Sequence, residues 1–490
     1  MVFINKILSF IFLFPIIGIF LISFCNPREK RLLKLLSLNF SCISFAGFLV
    51  LWAYFDKIET NFQFTQQFLI SPLFNLNFSI GIDGISLFFL LLTTLLIPIC
   101  ILASWNSITS NLKEFLIAFL FLDFLLIGVF CSLDLLFFYV FFESILIPMF
   151  LIIGVWGSRE RKMLASYYFF LYTLVGSVVM LLAIIYMFIQ VGSTDYETLL
   201  ICPFTMFEQK FLWLAFFFSF ASKVPMMPFH LWLPEAHVEA PTSGSVLLAG
   251  ILLKLGSYGF VRFSLPLFPN ASFFFAPLVY TIVLGSVIYA SFTAIRQTDF
   301  KRIIAYTSIA HMNLVVLGIF SFNVIGLEGA IFQSLSHGFV ASALFLIIGV
   351  VYDRYKTRIV KYYGGLATVM PIYISVFLFF TVANIGFPGT SSFIGEFLIF
   401  IGSFKVNTEV TFLSAFSMVI GGGYSLWLFN RIAYGNLKIQ YTKKFLDLSF
   451  REVVIFMPLF LGSLISGIYP NLFLSSIHAS VFSLLELLYF

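Results

Sequence analysis

Residues 138–157 read FYVFFESILIPMFLIIGVWG, and Glu143 is the one charged residue among them. A run of about 20 apolar residues is long enough to cross a bilayer as a helix. The whole chain has the same character, because 61% of its 490 residues are hydrophobic and only 10% are charged. An ordinary soluble domain has roughly 25% charged residues. The sequence therefore excludes a soluble globular protein and predicts a single polytopic membrane domain.

Hydropathy over windows of about 19 residues predicts an all-α fold with about 14 transmembrane helices. The predicted helices span residues 6–25, 33–55, 84–105, 114–132, 134–156, 164–190, 210–231, 243–264, 273–297, 302–321, 327–352, 370–404, 408–432 and 452–471. The segment 57–83 contains short β-rich stretches and is predicted to form a hairpin or ordered loop at one surface. Residues 472–490 are predicted to form an interfacial or short buried helix.

Most of the 27 Lys and Arg residues lie in loops that follow odd-numbered predicted helices. Loops after even-numbered helices hold only Lys57, Lys210, Arg262 and Lys405. Basic loops mark the side from which membrane helices insert, so the first set of loops defines one side, here called the basic face. Both termini are predicted on the opposite face. The formal net charge of +5 is thus an orientation signal and does not indicate nucleic-acid binding.

Ionisable side chains inside the predicted helices carry the functional information, since each costs at least about 2.5 to 3.5 kcal/mol at a helix centre. One acid and one lysine could be a purely structural bridge, and a lone histidine is more often a packing residue than a proton carrier. Six such groups in six helices favour a proton relay instead. The candidate relay residues are Glu143, Lys223, Lys254, His311, His337 and Glu396.

Two predicted helices are interrupted beside these residues. Lys223 is followed by Pro225 and Pro228, and Glu396 follows the segment Asn384 to Ser392, which is rich in Gly, Pro and Ser. A broken helix at membrane depth is tolerated where it is buried in protein or lines a wet cavity. The matching spacing predicts two inverted five-helix repeats, helices 4–8 and 9–13, with helices 7 and 12 broken, as at ion sites in transporters. The predicted divisions are 1–110 with the hairpin, 111–265 and 266–432 as the two half-channels, and 433–490.

Five stretches of the chain resemble one membrane-protein family. They are residues 138–157, 223–259 (KVPMMPFHLWLPEAHVEAPTSGSVLLAGILLKLGSYG), 305–315 (AYTSIAHMNLV), 335–345 (LSHGFVASALF) and 388–397 (PGTSSFIGEF). The family comprises the antiporter-like membrane subunits of proton-pumping NADH:ubiquinone oxidoreductase, respiratory complex I, and also includes multisubunit cation/proton antiporters. An acid at Glu396, where sister subunits have lysine, and the expected lack of a long C-terminal lateral helix favour one branch of this family.

The resemblance implies roles for the candidate relay residues. Glu143 and Lys223 would form the charge pair of the first half-channel, and Lys254 would be the central relay group. His311 and His337 would continue the path to Glu396, the terminal proton carrier. Asp123 stands where the family suggests a glutamate, so an entry role for it is doubtful. Four residues of the Pro-rich turn would serve either coupling to a neighbour or loop structure: His230, Glu235, His237 and Glu239.

The resemblance also implies where the remaining chemistry lies. NADH, FMN, iron-sulfur clusters and ubiquinone are expected in partner subunits, and none in this chain, whose five cysteines form no C-x-x-C pair. The expected partners are other membrane-arm subunits, including the sister antiporter-like chains, and membrane lipids, but no nucleic acid. The expected location is the mitochondrial inner membrane, and the 69 Phe residues are typical of AT-rich organelle genes. An autonomous cation/proton antiporter and a purely structural scaffold remain the alternatives.

Overall fold

The computed structural model describes residues 2–71, 76–438, 440–441 and 446–489. Its first half contains the helices α1 Val2–Phe24, α2 Lys30–Tyr54, α3 Gly84–Ala103, α4 Leu112–Cys131, α5 Leu135–Ser144, α6 Leu146–Trp156, α7 Lys162–Val191, α8 Tyr196–Ile201, α9 Met206–Lys223, α10 Trp232–Glu239, α11 Thr242–Leu247, α12 Leu253–Gly259 and α13 Leu265–Leu267. Its second half contains α14 Pro269–Arg296, α15 Phe300–Ile319, α16 Val324–Tyr355, α17 Pro371–Ile385, α18 Ser391–Phe404, α19 Thr408–Ala433, α20 Phe450–Ile468 and α21 Asn471–Tyr489.

Among the described residues, 13 helices or helical segments are long and apolar enough to cross a membrane. They confirm the prediction of an all-α polytopic fold. Segment 242–267 is continuous, because π-helical turns at Leu248–Leu252 and Phe260–Ser264 join α11, α12 and α13. The predicted surface hairpin is a two-stranded antiparallel sheet of β1 Gln63–Ser71 and β2 Leu76–Ile82. The connection between its strands, residues 72–75, lies outside the described residues.

The chain is interrupted at both predicted breaks, and of these two helices only the seventh has a wrong predicted end. The prediction for the seventh helix is 210–231, but α9 ends at Lys223 and a second helix, α10, begins at Trp232. Proline lacks the amide hydrogen and clashes with the preceding turn, so Pro225 and Pro228 prevent the helix from continuing. The predicted helix 370–404 is two helices, α17 and α18, on either side of residues 386–390.

The basic loops come together on one face of the structure. Arg358, in the loop after α16, hydrogen-bonds Ser158 in the loop after α6, and its carbonyl accepts from the amide of Phe300 at 2.9 Å. Arg354 forms an ion pair with Glu452 at 2.8 Å, which joins the ends of α16 and α20. These contacts link loops far apart in sequence into a single basic face.

Helix α21 lies across the ends of other helices on the opposite face. Phe473 stacks on Trp52 of α2 with ring centroids 6.0 Å apart. Further along the helix, His478 lies 2.6 Å from Glu328 near the start of α16, and Ser480 Oγ accepts from the amide of Gly84 at the start of α3 at 3.0 Å. Helix α21 is long enough to cross a membrane, and these contacts join it to the end of α2 and the starts of α3 and α16. The choice between an interfacial and a short buried helix stays a prediction.

Candidate functional site

Lys254 and His337 meet in the centre of the molecule. Lys254 Nζ lies 2.7 Å from His337 Nδ1, and it also donates to the carbonyl oxygen of Ala249 at 2.5 Å. Ala249 belongs to a π-helical turn, an irregularity that is common at functional sites. The side chain of Lys254 is fully buried and that of His337 nearly so. A buried amine and an imidazole at this distance share a hydrogen bond along which a proton can pass.

The second half of the site joins His311 of α15 to Glu396 of α18. His311 Nδ1 lies 2.9 Å from Glu396 Oε1, an ion-pair distance, although the ring is not aligned for a regular hydrogen bond. Gln333 Nε2 of α16 donates to the same carboxylate oxygen at 3.1 Å. Glu396 is only 1% exposed. Its carboxyl group is therefore held from two sides in the protein interior.

The two histidines connect these halves. The ring centroids of His311 and His337 are 6.0 Å apart. The spatial order along the row is therefore Lys254, His337, His311 and Glu396, which reverses the two histidines relative to their order in the chain. Helix α16 places His337 next to the lysine and, one turn earlier, Gln333 next to the acid.

The break before α18 shapes the pocket of Glu396. Gly386 ends α17 in the left-handed conformation, with φ of +81°. A Cβ atom at this position would lie 2.6 Å from Glu396 Oε2. Glycine is thus required at residue 386 for two reasons. It adopts the left-handed conformation without strain, and it leaves room for the carboxylate of Glu396.

Glu143 and Lys223 form a separate, looser part of the site. Lys223 Nζ is buried at the end of α9 and has no hydrogen-bond partner among the residues that the structure describes. It lies over the ring of Phe142, 4.4 Å from the ring centroid, a favourable cation–π position. Glu143 interacts with it electrostatically, but within the described ranges they form no ion pair within 4.0 Å. Glu143 and Lys223, the predicted charge pair, are therefore neighbours that make no direct contact.

The broken segment after Lys223 is held by side chains from several helices. Trp232 Nε1 donates to the carbonyl oxygen of Ser222 at 2.9 Å, and Ser286 Oγ of α14 accepts from the amide of Met227 at 2.9 Å. These bonds satisfy backbone groups that a continuous helix would satisfy itself. The end of α9, and with it Lys223, is fixed in place.

The remaining candidate residues are not members of the row from Lys254 to Glu396. Asp123 is fully buried in α4, and neither of its carboxylate oxygens has a hydrogen-bond partner among the described residues. His230 packs edge-on against Tyr289, and Glu235 forms an ion pair with Arg302 at 2.6 Å. His237 and Glu239 are buried on α10. Over the part of the chain that the structure describes, His, Cys, Asp and Glu side chains form no group of three or more that could hold a metal ion.

Sequence reasoning missed Gln333, the amide that holds Glu396. A signal was present, because Gln333 lies four residues before His337 in an otherwise apolar helix, and residues four apart share a helix face. It also missed Lys301, which counted as a loop residue but is 1% exposed at the start of α15.

Comparison with known proteins places this arrangement in a family. The family model described as NADH:quinone oxidoreductase/Mrp antiporter, TM, matches residues 132–421, a range that contains all six candidate relay residues. The chain is 57% identical to NADH-ubiquinone oxidoreductase chain 4 of Chondrus crispus, over 97% of this chain and 96% of that relative. The chain belongs to the NADH-ubiquinone oxidoreductase chain 4 family.

Further relatives and a solved structure agree. NADH-ubiquinone oxidoreductase chain 4 of Arabidopsis thaliana is 56% identical over 98% of this chain and 97% of that relative. A chain in the structure of respiratory complex I from Thermus thermophilus with bound NADH superposes with a TM-score of 0.89 and is 29% identical, over 99% of both chains. These matches confirm the resemblance, and they confirm that the chain belongs to the branch that Glu396 favoured, the chain 4 family. The inverted repeats, the domain divisions and the roles of single residues stay predictions.

Proposed function

We propose that this chain is the antiporter-like, proton-translocating subunit of the membrane arm of an NADH:ubiquinone oxidoreductase. Protons would move along the row of buried groups Glu143, Lys223, Lys254, His337, His311 and Glu396. One observation carries the proposal: side chains from four different helices meet in sequence between Lys254 and Glu396. A structural bridge needs only two partners, whereas this row continues through four.

The geometry supports short proton steps within the row. Between Lys254 and His337 the donor and acceptor already lie at hydrogen-bond distance, and His311 is in ion-pair contact with Glu396. Between Lys254 and Glu396, the remaining gap separates the two imidazoles, and a ring must turn or a water molecule must bridge it. Imidazole binds and releases protons near neutral pH, which suits it to this position.

Redox chemistry belongs, in this proposal, to other subunits of the complex. NADH, FMN, iron-sulfur clusters and ubiquinone would act there, and this chain would receive the coupling through its neighbours in the membrane arm, the sister antiporter-like chains among them. The chain would function in the mitochondrial inner membrane, with membrane lipids around it. The 57% identity to a chain 4 relative over nearly its whole length supports this placement.

The test is Glu396→Gln in the assembled complex, measured as NADH–quinone reductase activity and as proton uptake by membrane vesicles. The amide keeps the size of the side chain but cannot carry a proton. We expect proton uptake to fall about tenfold or more, with reductase activity falling alongside it. Asp123→Asn is the matched control, because it neutralises another fully buried acid that lies outside the row.

The alternatives give different results. A scaffold leaves both activities unchanged in Glu396→Gln and in Lys254→Ala, provided that the complex assembles. An autonomous antiporter exchanges sodium or potassium for protons when the chain is reconstituted alone. Either result would replace the proposed function.

A further inference from the structure

A polar cavity of about 620 Å³ opens on the basic face, where the loops after α6, α14 and α16 meet the end of α10. Two acids of α10 line it, and they differ in their surroundings. Glu235 is one-third exposed and bound to Arg302. Glu239 is only 2% exposed, and its Oε2 has no hydrogen-bond partner among the described residues. Glu239 is therefore a buried acid on the wall of a cavity that opens to water.

Behind Glu239 lies a buried lysine that the proposed relay does not use. Lys301 interacts electrostatically with Glu239 and is 1% exposed. Its Nζ donates to the carbonyl oxygen of Ala240 at 2.8 Å and to Ser245 Oγ at 2.9 Å. An ammonium group has three donors, so these two bonds leave one N–H of Lys301 to exchange.

His237 is a neighbour of both this lysine and the central row. It interacts electrostatically with Lys301 and Lys254, and also with His337. Ser245 Oγ, the acceptor of Lys301, donates to the carbonyl oxygen of His237 at 3.1 Å. The imidazole is fully buried and stacks on the ring of Phe345, with centroids 4.5 Å apart and planes 5° apart.

The nitrogens of His237 are not explained by packing. Both are inaccessible, and neither has a hydrogen-bond partner among the residues described here. A buried polar atom without a partner costs about 1 to 3 kcal/mol, whereas a phenyl ring would make the same stack on Phe345 at no such cost. Both ring nitrogens of His237 are therefore left open to exchange a proton with a neighbouring amine.

We propose that Glu239, Lys301 and His237 form a side branch that joins the cavity on the basic face to the Lys254–His337 contact. A proton would pass from water to a Glu239 oxygen, then to Lys301 Nζ, a ring nitrogen of His237 and Lys254 Nζ, and each group would return to its starting state. No other bond forms or breaks. The branch rests on the proposed function, because it supplies protons to that relay.

The experiment compares His237→Phe with His230→Phe in the assembled complex. The phenyl ring preserves the stack on Phe345 but removes both nitrogens. His230 is the matched control, because it is a second buried histidine of the same Pro-rich turn and it packs against Tyr289 instead of Phe345. We expect proton uptake by vesicles to fall at least fivefold in His237→Phe and to stay within twofold of the parent in His230→Phe.

A second pair of variants tests the outer end of the branch. Glu239→Gln should lower proton uptake, whereas Glu235→Gln, on the same helix and cavity wall, should not. If His237→Phe does not assemble, His237→Ala with added imidazole replaces it. Imidazole fits the space left against Phe345, so recovery of proton uptake on its addition supports the branch, and no recovery contradicts it.

The outcomes separate the branch from the relay. Normal proton uptake in His237→Phe together with its loss in Glu396→Gln would overturn the side branch and leave the relay standing. Normal uptake in both variants would overturn the proposed function itself. Equal loss in His237→Phe and His230→Phe would show that the whole turn has only a structural role, and it too would overturn the branch.

Discussion

Single residues fix the position of the candidate relay groups. Glu396 is the clearest case, because Gln333 and His311 hold one carboxylate oxygen while Gly386 makes room for the other. The acid, the amide and the glycine come from three segments of the chain. The position of the carboxylate is therefore a property of the packing between helices.

At this scale we predict that Gly386→Ala impairs proton uptake, whereas Gly389→Ala does not. Both glycines have positive φ, +81° and +92°, so each alanine adds backbone strain of about 1 to 2 kcal/mol. Only at residue 386 would the new Cβ meet Glu396, since nothing lies within 4 Å at residue 389. Vesicle proton uptake, with thermal stability measured in parallel, distinguishes them. Equal uptake in the two variants would contradict the prediction.

Much of the site could be predicted from the sequence at this scale. Charged residues in apolar helices are costly, so Glu143, Lys254 and Glu396 were identifiable without a structure. The order of His311 and His337 was not, because it depends on how α15 and α16 turn toward each other. Lys301 and Arg262 were missed because basic residues near helix ends are usually exposed to solvent. In the structure both are buried.

At the scale of secondary-structure elements, the interrupted helices determine where Lys223 and Glu396 lie. Helix α9 stops at Lys223, and backbone groups next to the break are bound by side chains from other segments. Trp232 donates to the carbonyl of Ser222, Asn313 donates to the carbonyl of Pro225, and Ser286 accepts from the amide of Met227. The prolines predicted the break, but they could not predict where helical structure resumes. That depends on the tertiary partners of the freed backbone groups.

Trp232→Phe should reduce proton uptake about two- to fivefold, and Trp213→Phe should not. Each variant removes one indole hydrogen bond, to the carbonyl of Ser222 or to Ser272 Oγ, and should cost about 1 kcal/mol of stability. Only the first bond supports the end of α9 next to Lys223. The measurements are detergent denaturation and vesicle proton uptake. Similar uptake in both variants would show that the break needs no such support.

On the scale of the whole molecule, a buried ion pair joins distant parts of the chain. Arg262 and Asp83 lie 2.5 Å apart and are both nearly inaccessible. Asp83 also caps α3 through the amide of Ser86 at 2.9 Å. The pair therefore ties the segment that carries Lys254 to the start of α3, beside the end of the hairpin.

Asp83→Asn should destabilise the protein by about 3 to 5 kcal/mol, because it leaves the Arg262 guanidinium buried without its counter-charge. Replacing both partners by Asp83→Asn and Arg262→Gln should recover part of this loss. Lys356→Ala, which removes an exposed ion pair with Asp353, should cost less than about 1 kcal/mol. Thermal unfolding in detergent checks all three. A double variant no more stable than Asp83→Asn would contradict this reasoning.

Helix α21 connects helices from the two halves of the chain, which opposes rotation of one half against the other. It touches α2, α3 and α16 at one surface, and these helices come from both the front and the rear of the chain. A rotation of the first half of the chain against the second half would break these contacts of α21. The rocking motion that some transporters use would break them too. In the proposed proton relay, the parts free to move would therefore be side chains and the interrupted segments 224–231 and 386–390.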